Sequence, residues 1–466
     1  MLRRGRVQSA LILACGVIVA VGVLVGVDLY NQPRLSGKTV TIGIDPRDVA
    51  VVDGSGCCGR AVALESGGID QHDRPMLTGD INVMNARTGL SLRRIPVGVG
   101  PFEMVVNART GRAFVLDQGA STGPAMTVHA VDTGSGGLLW ARPLFALPGA
   151  GRGWRTTGNV LNATPTWSAL DGRGTMAMDD SISRLFVVNR IVAPRTQATP
   201  AMYLLDTSRG ALVRTIHLST PAFDVAVDPR AHHVFATSVS SNAIWMLDSR
   251  TGGLLRTLWA ASVPDSIVVS QARDEVVVAG PAAAGASGIV QVFSADTGRL
   301  LRTIPTSTYP SQIALDTRED RAFVLNEATR GGAQAGGSVT IVDLKAGHVL
   351  QTIAVGSNPS GLVADEQTGR IFVVDQGRRL DNGNVSTLDA SSGRLLRTVT
   401  VGFRPSAIAL DRQSGQVLAV SQLAAAPPRG AVVGVVERLR ELGGTSNERG
   451  VLTILGGRNL GLGNPR

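Results

Sequence analysis

The stretch from residue 359 to residue 399 decides the fold of this chain of 466 residues. It contains four short runs: PSGLVAD at Pro359–Asp365, IFVVD at Ile371–Asp375, NVSTLD at Asn384–Asp389 and RLLRTV at Arg394–Val399. Each run is rich in apolar and β-branched residues, and the residues between the runs are mostly Gly, Asp, Asn and Ser. This combination predicts four short antiparallel β-strands that are joined by turns.

The same four-run unit recurs along the chain. The third run of several units ends in an aspartate, as at Asp132, Asp206, Asp248, Asp343 and Asp389. A repeat of about 43–55 residues with four strands is typical of the blades of a β-propeller, because a single blade cannot bury both of its faces and must stack on its neighbours. The sequence therefore predicts an all-β protein of four-stranded blades. The first runs of the eight units lie near Asp48–Asp53, Phe102–Asn107, Thr175–Asp179, Asp224–Asp228, Ser266–Ser270, Gln312–Asp316, Gly361–Asp365 and Ala407–Asp411.

The two ends of the repeat region predict how the ring closes. The eighth unit ends with a third run at Val451–Leu455 and has no fourth run. The repeat region begins with an unpaired run, Gly37–Gly43, which we expect to supply the missing strand of the last blade. Such an exchange ties the two ends together and removes an exposed sheet edge. Eight blades are therefore favoured, and seven blades are the alternative if the first or the last unit is degenerate.

The amino terminus has the pattern of a membrane segment. Arg3, Arg4 and Arg6 precede an uncharged apolar run from Ala10 to Val27, which is long enough to span a bilayer as a helix. Basic residues before such a run predict a cytoplasmic amino end and a single-pass protein of the cell membrane. The alternative is a cleaved signal peptide, which would release the propeller as a secreted protein. The predicted segments are an anchor at 1–30, a tether at 31–37, an extracytoplasmic propeller at 38–457 and a tail at 458–466.

Tetrapeptides in the second runs carry a resemblance to a known family. They read FVVN at Phe186–Asn189, FVLN at Phe323–Asn326 and FVVD at Phe372–Asp375. With the run SVTIVD at Ser338–Asp343 and the link Val355-Gly356-x-x-Pro359, they resemble the YVTN-repeat, YncE-like β-propellers. The resemblance implies a propeller fold and an extracytoplasmic location, and most members of that family have no assigned reaction. Wider propeller relatives include haem-binding nitrite reductases, amine dehydrogenase heavy subunits and streptogramin lyases, so the fold alone does not fix a function.

Loop lengths predict which face of the ring binds. The first-to-second and third-to-fourth connections are short, as at Asn107–Gly111 and Asp248–Gly252. Long insertions fall on the opposite face and favour it as the binding surface, whereas the alternative is drift in unconstrained loops. The last insertion contains an amphipathic pattern at 432–442, which is either a lid or partner-docking helix or a helix packed on its own propeller. The insertions lie at 65–79, 147–174, 190–200, 327–337, 376–384 and 421–450.

Polar residues of these loops define a predicted ligand-binding site at the mouth of the central channel. Their alternative role is turn capping and hydrogen bonding between blades. In a different loop, the adjacent Cys57 and Cys58 form either a strained vicinal disulfide, a free pair or an intermolecular bridge. The nine predicted ligand-binding residues are Glu103, Asn189, Arg190, Asp224, Asp265, Tyr309, Asn326, Asp375 and Arg404.

Composition narrows the range of chemistry. Aromatic residues make up 4% of the chain, so stacking platforms for single-stranded nucleic acid are not expected. The net charge is +9, but arginines such as Arg256, Arg302 and Arg397 recur around the ring instead of forming one patch, so no nucleic-acid partner is predicted. His232 and His233 lie in a tight turn and are expected to face solvent, and no histidine has metal-ligand spacing. No catalytic residue, metal site or cofactor is predicted.

We therefore expect a membrane-anchored, extracytoplasmic propeller that acts as a binding or scaffolding module through its long-loop face. Its expected partners are the cytoplasmic membrane, through the N-terminal helix, and an envelope protein or a small ligand. The alternative is an enzyme or redox-associated subunit of lyase or dehydrogenase type with its active site at the channel mouth. That alternative rests on fold analogy and requires a convergent cluster of His, Glu or metal ligands.

Overall fold

The computed structural model describes eleven stretches of the chain: 38–52, 59–67, 78–117, 126–145, 176–188, 200–282, 287–307, 309–327, 336–378, 381–422 and 449–455. The chain divides into two compact units, Met1–Ser36 and Gly37–Arg466, and the stretches above belong to the second unit. The predicted anchor, the tether, Cys57, Cys58 and the helical pattern at 432–442 lie outside the described residues. Within the described residues, no helix has the length and apolar character needed to cross a membrane.

All regular structure in the described stretches is β-strand, and six four-stranded antiparallel sheets follow one another along the chain. Each sheet is built from four consecutive strands in sequence order, so we number the sheets in the same way. Sheet 1 comprises β2 (Pro46–Val52), β3 (Arg60–Glu65), β4 (Thr78–Asn85) and β5 (Ser91–Val99), and sheet 2 comprises β6 (Pro101–Asn107), β7 (Arg112–Asp117), β8 (Met126–Asp132) and β9 (Leu138–Phe145). Sheet 3 comprises β10 (Met176–Asp179), β11 (Arg184–Val188), β12 (Ala201–Asp206) and β13 (Leu212–His217), and sheet 4 comprises β14 (Val225–Asp228), β15 (His233–Thr237), β16 (Ala243–Asp248) and β17 (Leu254–Trp259). Sheet 5 comprises β18 (Ser266–Ser270), β19 (Glu275–Pro281), β20 (Gly288–Ser294) and β21 (Leu300–Thr306), and sheet 6 comprises β22 (Pro310–Asp316), β23 (Arg321–Asn326), β24 (Gly336–Asp343) and β25 (His348–Ser357).

The remaining strands form one seven-stranded sheet. One strand is shared between its two halves: β29 pairs with β28 up to Phe403 and with β30 from Phe403 onward. At the edge, β1 pairs antiparallel with β31, with Lys38 opposite Ile454 and Thr41 opposite Val451. The first described strand therefore completes the sheet that contains the last one, as the unpaired run at the start of the repeat region predicts. The spatial order is β26 (Pro359–Asp365), β27 (Arg370–Asp375), β28 (Asn382–Asp389), β29 (Leu395–Asp411), β30 (Gln416–Gln422), β31 (Arg449–Leu455) and β1 (Lys38–Ile44).

Hydrophobic clusters join each sheet to the next in cyclic order. Separate clusters lie between sheets 1 and 2, 2 and 3, and so on to the seven-stranded sheet, which packs back on sheet 1. Another cluster lies between the two halves of the seven-stranded sheet and includes Val374 and Ala419. The architecture is that of a β-propeller, and the all-β prediction is confirmed. Four second strands place a fully buried phenylalanine in the clusters, each worth about 2–3 kcal/mol of burial: Phe114, Phe186, Phe235 and Phe323.

The aspartates that end the third strands cap the turns that follow them. In sheet 4, Asp248 Oδ1 accepts hydrogen bonds from the backbone N–H groups of Arg250 (3.1 Å) and Thr251 (2.8 Å). The Gly252 N–H closes the turn on the Asp248 carbonyl at 2.8 Å. A short polar side chain at the end of the third strand can accept hydrogen bonds from the N–H groups of the turn. This is why the same position of each repeat, which we call a column, is occupied by Asp, Asn or Ser.

Side chains of the fourth strands form a second set of contacts between sheets, which we call the rim bonds. Arg93 Nη1 donates to the Gly134 carbonyl of the next sheet at 2.9 Å. Trp140 Nε1 donates to the Thr207 carbonyl at 3.2 Å, and Arg214 Nη1 donates to the Thr251 carbonyl at 3.1 Å. The rim bonds give Arg93, Trp140 and Arg214, which occupy the same register position of their fourth strands, a structural role.

Trp140 also packs over Gly210, which makes this glycine a test of the rim contact. Gly210 has a φ of 65°, and an added Cβ would lie 2.5 Å from Trp140 Cδ2. Gly369 has a similar φ of 63°, but no heavy atom lies within 4 Å of the position that its Cβ would take, so it reports the backbone cost alone. We expect Gly369→Ala to lower the free energy of unfolding by about 1 kcal/mol, and Gly210→Ala to lower it by a further 1–3 kcal/mol, roughly the cost of overpacking. Urea titrations measure both values, and equal losses would contradict the packing role of Trp140.

Candidate functional site

Strand direction places the long insertions on one face of the propeller. Successive strands alternate in direction, so the second-to-third connections and the links from each fourth strand to the next first strand open on the same side, which we call the long-loop face. The longest intervals between strands fall there: 66–77, 118–125, 146–175, 189–200, 327–335 and 423–448. The opposite side, the tight-turn face, carries the capped turns described above, and its longest interval is 53–59.

Two predicted site residues link neighbouring sheets: Glu103 lies in the innermost strand β6, and Asp224 directly precedes the innermost strand β14. Glu103 Oε1 accepts from the Met176 N–H at 2.7 Å, and Asp224 Oδ2 accepts from the Ile267 N–H at 3.0 Å. These contacts match the alternative role that the sequence left open for these residues, hydrogen bonding between blades. Their use as ligand-binding residues stays a prediction.

The same inner position holds two residues that are absent from the predicted site. Asp48 Oδ2 accepts from the Met104 N–H at 3.2 Å, and Gln312 Oε1 accepts from the Leu362 N–H at 2.9 Å. Each lies in its first strand at the register position of Glu103 and Asp224, so aligning the repeats by strand register would have found them. We call these four contacts the inner bonds.

Tyr309 and Arg404 occupy strained backbone positions on the long-loop face. Their φ values are 52° and 45°, and each directly precedes a proline. Asp45 and Asn358 show the same combination, with φ of 50° and 52°. A residue before proline prefers extended backbone, and a non-glycine residue held in the left-handed region costs about 1–3 kcal/mol. The links into the inner strands are therefore held by the surrounding structure in one defined conformation.

The environments of these residues differ. Arg404 is exposed, and its guanidinium lies 5.8 Å from the centre of the Phe403 ring, within the range of a cation–π contact. Tyr309 is half-buried. Asp45 is buried and accepts hydrogen bonds from Ser66 Oγ at 2.7 Å and Gln422 Nε2 at 3.0 Å. Asp45 thus joins the end of β30 to sheet 1.

Asn326 and Asp375 end their second strands in buried positions. Asn326 Nδ2 donates to Thr340 Oγ1 at 2.9 Å. Asp375 Oδ1 accepts from Asn384 Nδ2 at 3.3 Å, and desolvation by burial raises the pKa of Asp375 to about 6. Both side chains are 2% exposed or less, so they belong to the interior of the long-loop face and not to its outer surface.

The structure pairs Asp117 with His129, a histidine that no sequence motif connects to an acid. His129 Nε2 lies 2.7 Å from Asp117 Oδ2, and Asp117 Oδ1 accepts from the Thr127 N–H at 3.1 Å. Gly98 of the preceding sheet packs against both side chains, since an added Cβ would lie 1.7 Å from Asp117 Oδ2. Asp117 occupies the same strand-end column as Asn326 and Asp375, and that column was the available signal. A carboxylate bonded to an imidazole fixes the orientation of the ring.

The other predicted residues are not brought into one cluster. Asp265 is half-buried, and its N–H donates to the Ala279 carbonyl at 3.0 Å. Asn189 and Arg190 lie outside the described residues. His232 and His233, expected to face solvent, are half-buried: His233 Nδ1 lies 2.8 Å from the Ala295 carbonyl of the next sheet. Among the residues that the structure describes, no group of three or more His, Cys, Asp and Glu side chains could hold a metal ion.

Comparisons with known proteins support the fold. No family model and no curated protein matches the chain. The crystal structure of BamB from Moraxella catarrhalis is similar with a TM-score of 0.53 and 12% identity, over 90% of this chain and 99% of that chain. Hydrazine synthase of Kuenenia stuttgartiensis aligns with a TM-score of 0.43 and 16% identity, over 57% of this chain and 82% of that chain. The likeness to BamB extends over nearly the whole chain and supports a β-propeller.

Asp48 predicts a measurable dependence of stability on pH. Desolvation raises the pKa of Asp48 to about 6, against the lowering effect of its hydrogen bonds from Val49 and Met104. A folded-state pKa above the unfolded value means that stability from this group is fully present below about pH 4 and is lost as the pH rises through 6. The Asp48→Asn variant keeps an acceptor for Met104 but cannot ionise. Between pH 4 and 7 its free energy of unfolding should therefore gain about 2 kcal/mol relative to the parent protein.

The matched control has the opposite sign. Hydrogen bonds from Ser391 and Ser392 lower the pKa of Asp389 to about 2, so Asp389→Asn should lose stability relative to the parent as the pH rises from 2 to 5. Urea titrations across this pH range measure both variants. Parallel profiles for Asp48→Asn and the parent protein would show that the carboxyl of Asp48 is not desolvated in the folded protein.

Proposed function

We propose that the protein is a membrane-anchored, extracytoplasmic β-propeller of the YVTN-repeat, YncE-like type that binds an envelope protein or a small ligand through its long-loop face. The proposal includes eight blades. The division of β29 at Phe403 supports this number, because the seven-stranded sheet then supplies two four-stranded blades that share one continuous strand. In this arrangement β1 is the fourth strand of the eighth blade.

The one-sided distribution of insertions carries the proposal of a binding face. The described turns between third and fourth strands follow one capped pattern, whereas the connections of the long-loop face vary in length and sequence from sheet to sheet. Repeat proteins commonly place such insertions on their binding surface. The pre-proline residues with positive φ, Asp45, Tyr309, Asn358 and Arg404, lie on the same face and hold the links into the inner strands in a defined conformation.

The point at which the chain enters the propeller is compatible with this assignment. Lys38 lies opposite Ile454, next to the end of the third strand β31, so β1 begins at the tight-turn face. The chain therefore enters the propeller on the side opposite to the proposed binding face.

One observation favours the enzyme alternative. The Asp117–His129 pair has the geometry of an oriented general base, since the carboxylate fixes one ring nitrogen and leaves the other for a proton transfer. A nucleophile or a second acid beside it is required for a reaction, and the described residues supply none within hydrogen-bond distance of the ring. The binding function therefore has the stronger support.

Photo-crosslinking tests the binding face. A photoreactive amino acid placed at Arg378 or Ser240, both exposed on second-to-third connections, should yield adducts with an envelope component in intact cells. The same amino acid at Ser391 or Arg250, exposed in third-to-fourth turns, should yield far fewer. Equal adducts from both pairs, or adducts only from the turns, would contradict binding through the long-loop face.

Alkaline extraction tests the anchor independently. The full-length chain should stay in the membrane pellet in carbonate, because the apolar run from Ala10 to Val27 remains in the bilayer. A Val19→Arg, Val21→Arg double variant should weaken that retention, since arginine in the middle of a span costs about 2.5–3.5 kcal/mol per residue. A shortened, soluble chain from the parent gene would support the secreted alternative instead.

A further inference from the structure

A cleft on the tight-turn face, between sheets 4 and 5, has a volume of about 570 Å³. Its lining includes Arg256 from the fourth strand of sheet 4 and, from the turns of sheet 5, Arg273, Asp274, Thr297 and Arg299. Ser294 and Leu301 complete the lining. The cleft lies away from the long-loop face, and neither the rim bonds nor the inner bonds use it.

The three arginines of the cleft differ in their partners. Arg273 is neutralised, because its Nε lies 2.8 Å from Glu275 Oε2 and its Nη1 lies 2.7 Å from Asp320 Oδ1. Arg256 and Arg299, by contrast, form no ion pair and no side-chain hydrogen bond with any described residue. Asp274 is the one acid in the lining, and it is exposed. Asp296, in the same turn as Thr297, is also exposed. The lining therefore holds two guanidinium groups that are not paired with a described carboxylate and are available to a ligand.

Comparison with the other sheets shows that the free state of Arg256 is unusual. At the same position of sheets 1, 2, 3 and 6, the side chain donates a rim bond to the turn of the next sheet, as Gln351 does to the Ser392 carbonyl at 3.0 Å. In sheet 5, Arg302 Nη1 donates to Glu275 at 3.0 Å. The stem of Arg256 still packs at Gly298, whose ideal Cβ would lie 3.2 Å from Arg256 Cδ. Its stem is thus held like that of its counterparts, while its guanidinium is left without an acceptor.

The turn of sheet 5 differs from the repeat in a second way. The residue that caps this turn is Ser294, whereas the corresponding residue is Asp in sheets 2, 3, 4 and 6. Ser294 Oγ accepts from the Thr297 N–H at 3.1 Å, so the turn remains capped without a negative charge. An aspartate here would offset the arginines and repel an anion. The cap of this turn is therefore uncharged in the cleft that the two unpaired arginines line.

We propose that this cleft binds a phosphate group, as a phosphomonoester or a phosphodiester. Guanidinium groups bind phosphate through paired, charge-assisted hydrogen bonds, and the hydroxyls of Ser294 and Thr297 can donate to the remaining oxygens. Leu301, which also lines the cleft, adds apolar surface for the organic part of such a ligand. The proposal does not depend on the function proposed for the long-loop face.

Binding measurements on the full-length protein in non-ionic detergent test the proposal. The probes are inorganic phosphate, short-chain phosphatidylglycerol and, as the comparison without a phosphate, short-chain diacylglycerol. Arg256→Gln, Arg299→Gln and Ser294→Asp should each weaken binding of the phosphate probes about tenfold. Ser294→Asp introduces the aspartate that occupies the corresponding position in sheets 2, 3, 4 and 6, so we expect the fold to be preserved. An unchanged midpoint of thermal unfolding checks this. Arg209→Gln, an exposed turn arginine of sheet 3 outside the cleft, is the matched control and should leave binding unchanged.

The probes also separate the sources of phosphate. Saturable binding of inorganic phosphate that the cleft variants weaken supports a site for a soluble phosphate compound. Binding of phosphatidylglycerol alone, weakened by the same variants, supports a lipid headgroup. Absence of saturable binding by every phosphate probe, or equal losses in Arg209→Gln and the cleft variants, would overturn the proposal.

Discussion

The contact of each sheet with the next is the interaction on which the rest of this structure depends. Backbone hydrogen bonds stop at the edges of the four-stranded sheets, and only β29 continues from one four-stranded group into another among the described strands. Cohesion around the ring therefore rests on side chains: the buried clusters between sheets, the inner bonds and the rim bonds. This constraint explains why so many polar residues near the axis have structural partners. Asp224, for example, directly precedes the innermost strand β14, yet its carboxylate already accepts a hydrogen bond from the Ile267 N–H.

The sequence predicts the repeated part of this fold well, because each column of the repeat has the same local task in every sheet. Asp248 caps its turn as Asp132 and Asp206 do, and Phe186 fills its cluster as Phe323 does. The pairing of β1 with β31 could also be predicted, since the repeat count leaves one run unpaired at the start of the region and one strand missing at its end. These inferences need only the spacing of the repeats and the requirement that a sheet edge be covered.

The candidate site is harder to predict, because its partners come from different strands or different sheets. Glu103 meets Met176 of the next sheet across a long insertion, and Asp117 meets His129 across a loop. Strand register reveals such pairs, whereas loop position and polarity, which define the predicted site, do not point to Asp48 and Gln312. Polarity places Tyr309 and Arg404 in the predicted site, whereas their distinctive feature is a positive φ before proline, a conformation opposite to the extended backbone that the X-Pro pattern favours.

Departures from the repeat carry more functional information than the repeat itself. Arginines such as Arg93 and Arg214 occupy the fourth-strand position that forms the rim bonds, so part of the +9 charge has a structural explanation.

The inner position of the first strands gives the complementary case. Gln312 accepts its bond with a neutral amide, which shows that the contact between sheets requires an acceptor and not a charge. Asp48 makes the same contact with a carboxyl whose pKa is raised to about 6, so the acid weakens the fold at neutral pH without improving the contact. Comparing the residues that occupy one position of the repeat in all of the sheets therefore separates those with a structural role from those without one.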